Sequence, residues 1–334
     1  MTTWPRLAAL LPVLFVGLLV SPIPSAAQPG ADPVRLVVVV LGGLNTSSGD
    51  GTFASITPAI ERLGTAPQVN TAVSVEEYSY RYPELSYTRC DTNQPIAESA
   101  RRLGLQVRDL ADRHPNARFV LLGHSLGGVI ATYWAVDAPR DLLAKTAAVV
   151  TLDSPLQGLG DVPAEMSDLV TRWVSTQLCS DRRVLDELTP GRPDGPLAVL
   201  GRVVDALNAV GARLYAGASR GDIPISWRSA TLPGADARYF DSGVCGDWAG
   251  LAAAVPGLSP DVRTTDWARV RTQLASLPPQ TQRALLDRLA ACLDVSHGSV
   301  LRDPAAIGWL VDIAQNALAA APAPAATPQP TPAP

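Results

Sequence analysis

Residues 119–135, FVLLGHSLGGVIATYWA, run from an apolar stretch through three glycines placed around one serine and into a segment of helical character. A buried strand that passes straight into a helix belongs to a parallel sheet covered on both faces, since parallel strands need helical crossovers to join them. The rest of the chain keeps that rhythm. VRLVVVVL (34–41), VNTAVSVEEYSY (69–80), RFVLLG (118–123), AAVVTLDSPLQG (147–158) and RLYAGASRGD (213–222) read as apolar strands. ASITPAIERLG, IAESARRLGLQVRDLADRH (96–114) and LGGVIATYWAVD read as helices between them. The fold class is therefore α/β, a mostly parallel central sheet with helices on both faces. Functional groups in such sheets gather beyond the carboxyl ends of the strands.

Two stretches depart from the rhythm. Residues 159–196 carry charges and prolines between strand candidates, which fits a cap or lid over the strand ends and equally an ordinary long connection. Residues 264–293 read as a helical block. The ends differ in composition from the middle. Arg6, the apolar run Leu7–Val20 and the small residues Ser25, Ala26 and Ala27 have the layout of a secretory signal peptide over residues 1–27. That apolar run is short of the roughly 20 residues a membrane-spanning helix needs. The expected domain covers residues 28–318. The uncharged Pro/Ala-rich stretch 319–334 reads as an extended tail with no core of its own. Secretion is the expected localisation. A net charge of −4 offers no basic surface and excludes nucleic acid as a partner.

Within the opening stretch, Gly123-His124-Ser125-Leu126-Gly127 matches Gly-x-Ser-x-Gly. That pattern carries chemistry where a strand precedes it and a helix follows, because the sharp turn lifts the serine hydroxyl above the sheet and aims backbone N–H groups at it. LLGHSLGG, with VVVVLGGLN upstream, resembles the α/β-hydrolase fold, and in particular its secreted lipase and esterase branch. The resemblance implies a nucleophile at Ser125, followed in chain order by an acid and a histidine.

A serine needs a base, and the chain has three histidines. His124 adjoins the nucleophile, and its side chain is expected to point away from the hydroxyl. His114, in DRHPNAR, lies at a predicted helix end and reads as a cap. His297, in LDVSHGSVL, is the remaining base, expected in a loop between helical stretches. The resemblance implies an acid after the strand that follows the possible cap, which makes Asp222 the first choice; Asp153, Asp236 and Asp241 are its rivals, and Asp294 lies too near His297 in sequence. The oxyanion donors implied by the resemblance are the backbone N–H groups of Leu126 and Leu44, although Gly42 stands where the family pattern has histidine.

In an oxidising compartment Cys90, Cys179, Cys245 and Cys292 form two disulfides, with three connectivities open. Cys245 with Cys292 and Cys90 with Cys179 is the preferred pairing, as the first pair flanks the segment before His297. With no CxxC pair a zinc site is not expected, and neither metal nor cofactor is called for. The expected function is hydrolysis of carboxylic esters, with lipid or acyl esters as substrate and transient contact with lipid surfaces. A secreted acyltransferase and a non-catalytic binding protein of the same fold are the alternatives. Nothing in the sequence sets the oligomeric state.

Overall fold

A computed structural model describes residues 34–65, 72–159, 179, 183–192, 195–222, 224–243, 245–255, 257–259 and 265–320. The expected signal peptide, most of the 159–196 segment and residues 321–334 lie outside the described residues. Six strands, β1 (Val34–Leu41), β2 (Ala72–Glu77), β3 (Arg118–His124), β4 (Thr146–Leu152), β5 (Arg213–Ser219) and β6 (Asp236–Phe240), form one sheet in the order β2-β1-β3-β4-β5-β6. Every neighbouring pair is parallel.

Helices cover both faces, and strand alternation shows why. Val37, Val39 and Leu41 of β1 with Phe119 and Leu121 of β3 enter one apolar core. Leu36, Val38 and Val40 with Val120 and Leu122 enter the other. Successive strand side chains point to opposite faces, so a continuous apolar run is what a sheet buried on both sides requires. The first core is closed by α2 (Ile96–Arg113) and α3 (Leu126–Asp137). The second is closed by α1 (Thr57–Glu61) and the last helix, α11 (Pro304–Ala319), which packs on β1, β3 and β4.

α4 (Arg140–Lys145) leads into β4, and the connection from β4 to β5 holds α5 (Arg183–Glu187), α6 (Leu197–Leu200) and α7 (Val203–Asn208). After β6 come α8 (Trp248–Ala254), α9 (Trp267–Ala275) and α10 (Pro279–His297), which share a separate small core around Trp248, Leu251 and Leu289. The Cys245–Cys292 disulfide, with Cα atoms 5.3 Å apart, ties the entry of α8 to α10.

The structure departs from the sequence reading at several boundaries. β2 ends at Glu77, short of residue 80, with residues 69–71 outside the described residues, and β4 ends at Leu152, where Asp153 with φ 43° turns the chain. β6 has no counterpart among the expected strands: its sequence DARYF is short and largely exposed at a sheet edge, so it lacks the apolar run by which buried strands are read. The block 264–293 is two helices broken at Ser276-Leu277-Pro278, since proline cannot donate the helix hydrogen bond. Ala319 closes α11 instead of starting a tail.

Candidate active site

The register brings the carboxyl ends of the strands level: Leu41 pairs with Gly123, His124 with Leu152, and Leu152 with Gly217. Ser125 follows His124 with φ 54° and ψ −127°, a backbone conformation that side-chain-bearing residues avoid, at a cost of about 1–3 kcal/mol. The surroundings fix it there. Its N–H donates to Leu152 O at 2.9 Å and its carbonyl accepts from Gly128 N–H at 3.1 Å. A Cβ on Gly123 would collide with the backbone of Gly127 and Gly128, and one on Gly127 with the carbonyl of Leu41. These close approaches are the steric reason for glycine on both sides of the turn.

From the β1 side, a Cβ placed on Gly43 would stand 2.7 Å from Ser125 Cβ and 3.2 Å from its Oγ, so the main chain at 43–44 runs beside the hydroxyl. Leu44 and Leu126 line the same cavity, of about 560 Å³, as Ser125 and His297. Leu159, Val184, Leu185, Leu188 and Ile225 give that cavity an apolar lining, and Asn45, Thr52 and Arg302 line it as well. Val184, Leu185 and Leu188 belong to the segment read as a cap or a long connection, and the described part of that segment therefore reaches the cavity.

Asp222 lies three residues past the end of β5, and His297 is the last residue of α10. The two meet: His297 Nδ1–H donates to Asp222 Oδ2 at 2.7 Å, and Ile225 N–H donates to Oδ1 at 3.3 Å. Both residues are buried. Burial alone pulls the His297 pKa down. The charge of Asp222 and its hydrogen bond, with Asp153 and Asp294 behind them, outweigh burial and raise it above the ordinary histidine value. His297 closes a helix and does not sit in a loop as expected.

A fully parallel sheet now carries a strained serine at the β3–α3 turn, an acid after β5 and a histidine further on, in that chain order. The chain has the α/β-hydrolase fold. The lipase (class 3) family matches residues 55–181, a stretch that holds Ser125 but neither Asp222 nor His297. No curated protein matches in sequence. Among solved structures the chain is similar to phospholipase PlaB from Legionella pneumophila, with 14% identity over 85% of this chain and 64% of that one and a TM-score of 0.48. It is also similar to the lipase BlEst2 from Bacillus licheniformis, with 13% identity over 63% and 84% and a TM-score of 0.41. A cutinase-like protein from Cryptococcus sp. matches with 10% identity over 79% and 95% and a TM-score of 0.36.

The other acids of the chain are placed differently. Asp236 opens β6, and Asp241 is an exposed partner of Arg220 at 3.3 Å. Asp294 is exposed at the rim of the cavity. Asp153 is wholly buried at the end of β4 with φ 43°, its carboxylate accepting from Ser219 N–H at 2.6 Å and Ser219 Oγ at 2.7 Å. Its pKa is pushed up to about 8 by burial and then by the charge of Asp222, against the opposing pull of His297 and the Ser219 hydrogen bonds. Its N–H donates to Gly217 O at 3.0 Å, so it lies at the carboxyl end of the sheet without holding the histidine nitrogen that Asp222 holds.

His114 caps α2 through its backbone N–H to Leu110 O. His124, whose side chain is expected to point away from the Ser125 hydroxyl, is buried with its ring packed on the ring of His297, a contact that the sequence reading does not anticipate. Period-two alternation was the available signal, because His124 shares the strand face of Val120 and Leu122, the face against which Val300 and Leu301 pack. The cysteines pair as preferred, with Cys90 bonded to Cys179 and Cys245 to Cys292. Two disulfides are consistent with an oxidising compartment. Among the described residues no helix is long and apolar enough to cross a membrane, and no group of His, Cys, Asp and Glu has the makings of a metal site.

Proposed function

We propose that this protein is a secreted serine hydrolase that cleaves carboxylic esters carrying an apolar acyl chain, through Ser125, His297 and Asp222. The observation that carries the reading is the 2.7 Å bond between Asp222 and His297 beside the cavity that holds the strained Ser125. With Nδ1 committed to Asp222, Nε2 is the ring nitrogen for proton transfer.

The steps follow. Ser125 Oγ attacks the ester carbonyl carbon while His297 Nε2 takes its proton, and the negative charge on the carbonyl oxygen is received by the N–H groups of Leu126 and Leu44. The carbon–oxygen bond to the alcohol breaks and His297 returns the proton to the leaving alcohol. Water then attacks the acyl-serine with the same base, releasing the acid and restoring Ser125. Asp222 holds the imidazole in the tautomer that presents Nε2 and stabilises the imidazolium between the two transfers. The apolar lining of Leu159, Val184, Leu185, Leu188 and Ile225 suits an acyl chain. The signal-peptide layout of residues 1–27 and the two disulfides support secretion.

The test is hydrolysis of p-nitrophenyl esters of graded chain length by wild type and Ser125→Ala, with fluorophosphonate labelling of both. Hydrolysis and labelling by wild type alone is the expected result, and a preference for longer chains supports a lipid substrate. Equal hydrolysis by both proteins, or none by wild type, overturns the reading. Acyl transfer to an added alcohol in preference to water reassigns the enzyme as a transferase.

A further inference from the structure

His124 and His297 stand 173 residues apart in sequence, yet their ring centroids lie 4.7 Å apart and His124 Nε2 is 2.9 Å from the carbonyl oxygen of His297. A carbonyl only accepts, so His124 donates from Nε2–H and its tautomer is fixed by the contact. The accepting carbonyl is the last of α10, one of the end groups that a helix cannot satisfy within itself. A helix terminus free to fray would be a poor mount for a base.

We propose that His124 is a positioning residue for the base: its Nε2–H ties the main chain of His297 to the turn that carries Ser125, and so sets the separation of base and nucleophile. The inference rests on the reading of Ser125 and His297 as the reacting pair. Two fixed points then define the imidazole. Asp222 holds the ring at Nδ1, and His124 holds the backbone to which the ring is attached.

The tie is anchored at the residue next to Ser125, so motion of α10 or of the turn carries both groups together. Catalytic geometry tolerates displacements of about 0.5 Å, and a shift of about 1 Å costs roughly 10²-fold in rate, which is the scale on which such a tie acts. His124 also suits the place by its charge. Burial, and then the nearby His297, push its pKa down to about 3, so a neutral imidazole faces the imidazolium that forms on His297 during the reaction. A permanent cation at position 124 would oppose that charge.

Three variants test the proposal: His124→Phe keeps a ring without the donor, His124→Met removes the donor with a flexible side chain, and His124→Gln supplies an amide N–H. Each is measured for thermal unfolding, for kcat and KM on p-nitrophenyl butyrate, and for the downfield proton resonance of the His297–Asp222 hydrogen bond. In the donor-less variants that fold, kcat is expected to fall about 10- to 100-fold with KM within about twofold, and the resonance to broaden or disappear. His124→Gln is expected to recover most of both signals. Wild-type kcat with an unchanged resonance in a folded donor-less variant overturns the proposal, as does a His124→Gln enzyme no better than His124→Phe. If wild type hydrolyses no ester, the functional reading fails while the resonance still tests the tie: its loss in Phe or Met and return in Gln supports the tie, and its persistence in all three overturns it.

Discussion

Asp222 and His297, 75 residues apart in the chain, are joined by a 2.7 Å hydrogen bond from Nδ1–H to Oδ2, and both are buried. A second buried carboxylate, Asp153, lies close enough to raise the pKa of His297, but its hydrogen bonds go to Ser219. The two acids therefore have separable roles. Asp222→Asn is expected to lower kcat by about 10⁴-fold, the scale seen when a triad acid becomes an amide and the tautomer is lost. Asp153→Asn, which can still accept from Ser219 N–H, is expected to keep kcat within about tenfold of wild type. Steady-state kinetics on one chromogenic ester compare them, and a reversed order would move the acid to Asp153.

The pH dependence of the rate follows from the raised pKa of His297. The base works unprotonated, so the acidic limb of kcat/KM is expected to have its midpoint above the ordinary 6.5 and to move down in Asp222→Asn, whose charge is gone. The stability contribution runs in the opposite sense. A pKa raised on folding stabilises the protein fully below the unfolded value near 6.5, and that contribution is lost as pH rises through the folded value. A kcat/KM profile from pH 4.5 to 9.5 with its midpoint below 6.5 would contradict the assignment.

Asp153 should govern stability on the alkaline side. Its folded pKa of about 8 stands above the ordinary 3.8, because burial and Asp222 disfavour its charge. Its contribution is fully present below pH 3.8 and is lost as pH rises through about 8. Asp153→Asn is uncharged at every pH and so is expected to unfold several degrees above wild type at pH 9, with the gap narrowing towards pH 5. Calorimetry at the two pH values checks this, and a variant less stable than wild type at pH 9 would count against a buried charge there.

Removing the Cys245–Cys292 bond should damage both stability and rate. The pair closes a span of 47 residues, for which chain-entropy reasoning gives about 4 kcal/mol. Cys292 shares α10 with His297, five residues on, so loosening that helix also loosens the base. The double variant Cys245→Ser/Cys292→Ser is expected to have a lower Tm and a lower kcat. An unchanged kcat at a temperature where the variant is fully folded would mean that the apolar core around Trp248 and Leu289 suffices to hold α10.

The sequence by itself determined what depends on near neighbours. The strand-to-helix turn at Ser125 was legible because its cause is local: glycines at 123 and 127 admit backbone that any Cβ would exclude. Uninterrupted apolar runs marked the interior strands because both their faces are buried. His297 could be named as the candidate base by elimination among three histidines, and Asp222 as the candidate acid through the resemblance to the α/β-hydrolase fold. What only the tertiary structure decided depends on segments far apart in the chain. β6 is a strand because β5 offers it an edge, not because DARYF carries the pattern. Asp222 differs from Asp153 in which of them reaches Nδ1 of His297, and both end or follow a strand in the same way. His124 meets His297 because the strand face it shares with Val120 and Leu122 lies against the segment that follows α10. Local sterics act over a few residues and can be read there; a contact across 173 residues exists only once packing has fixed both ends.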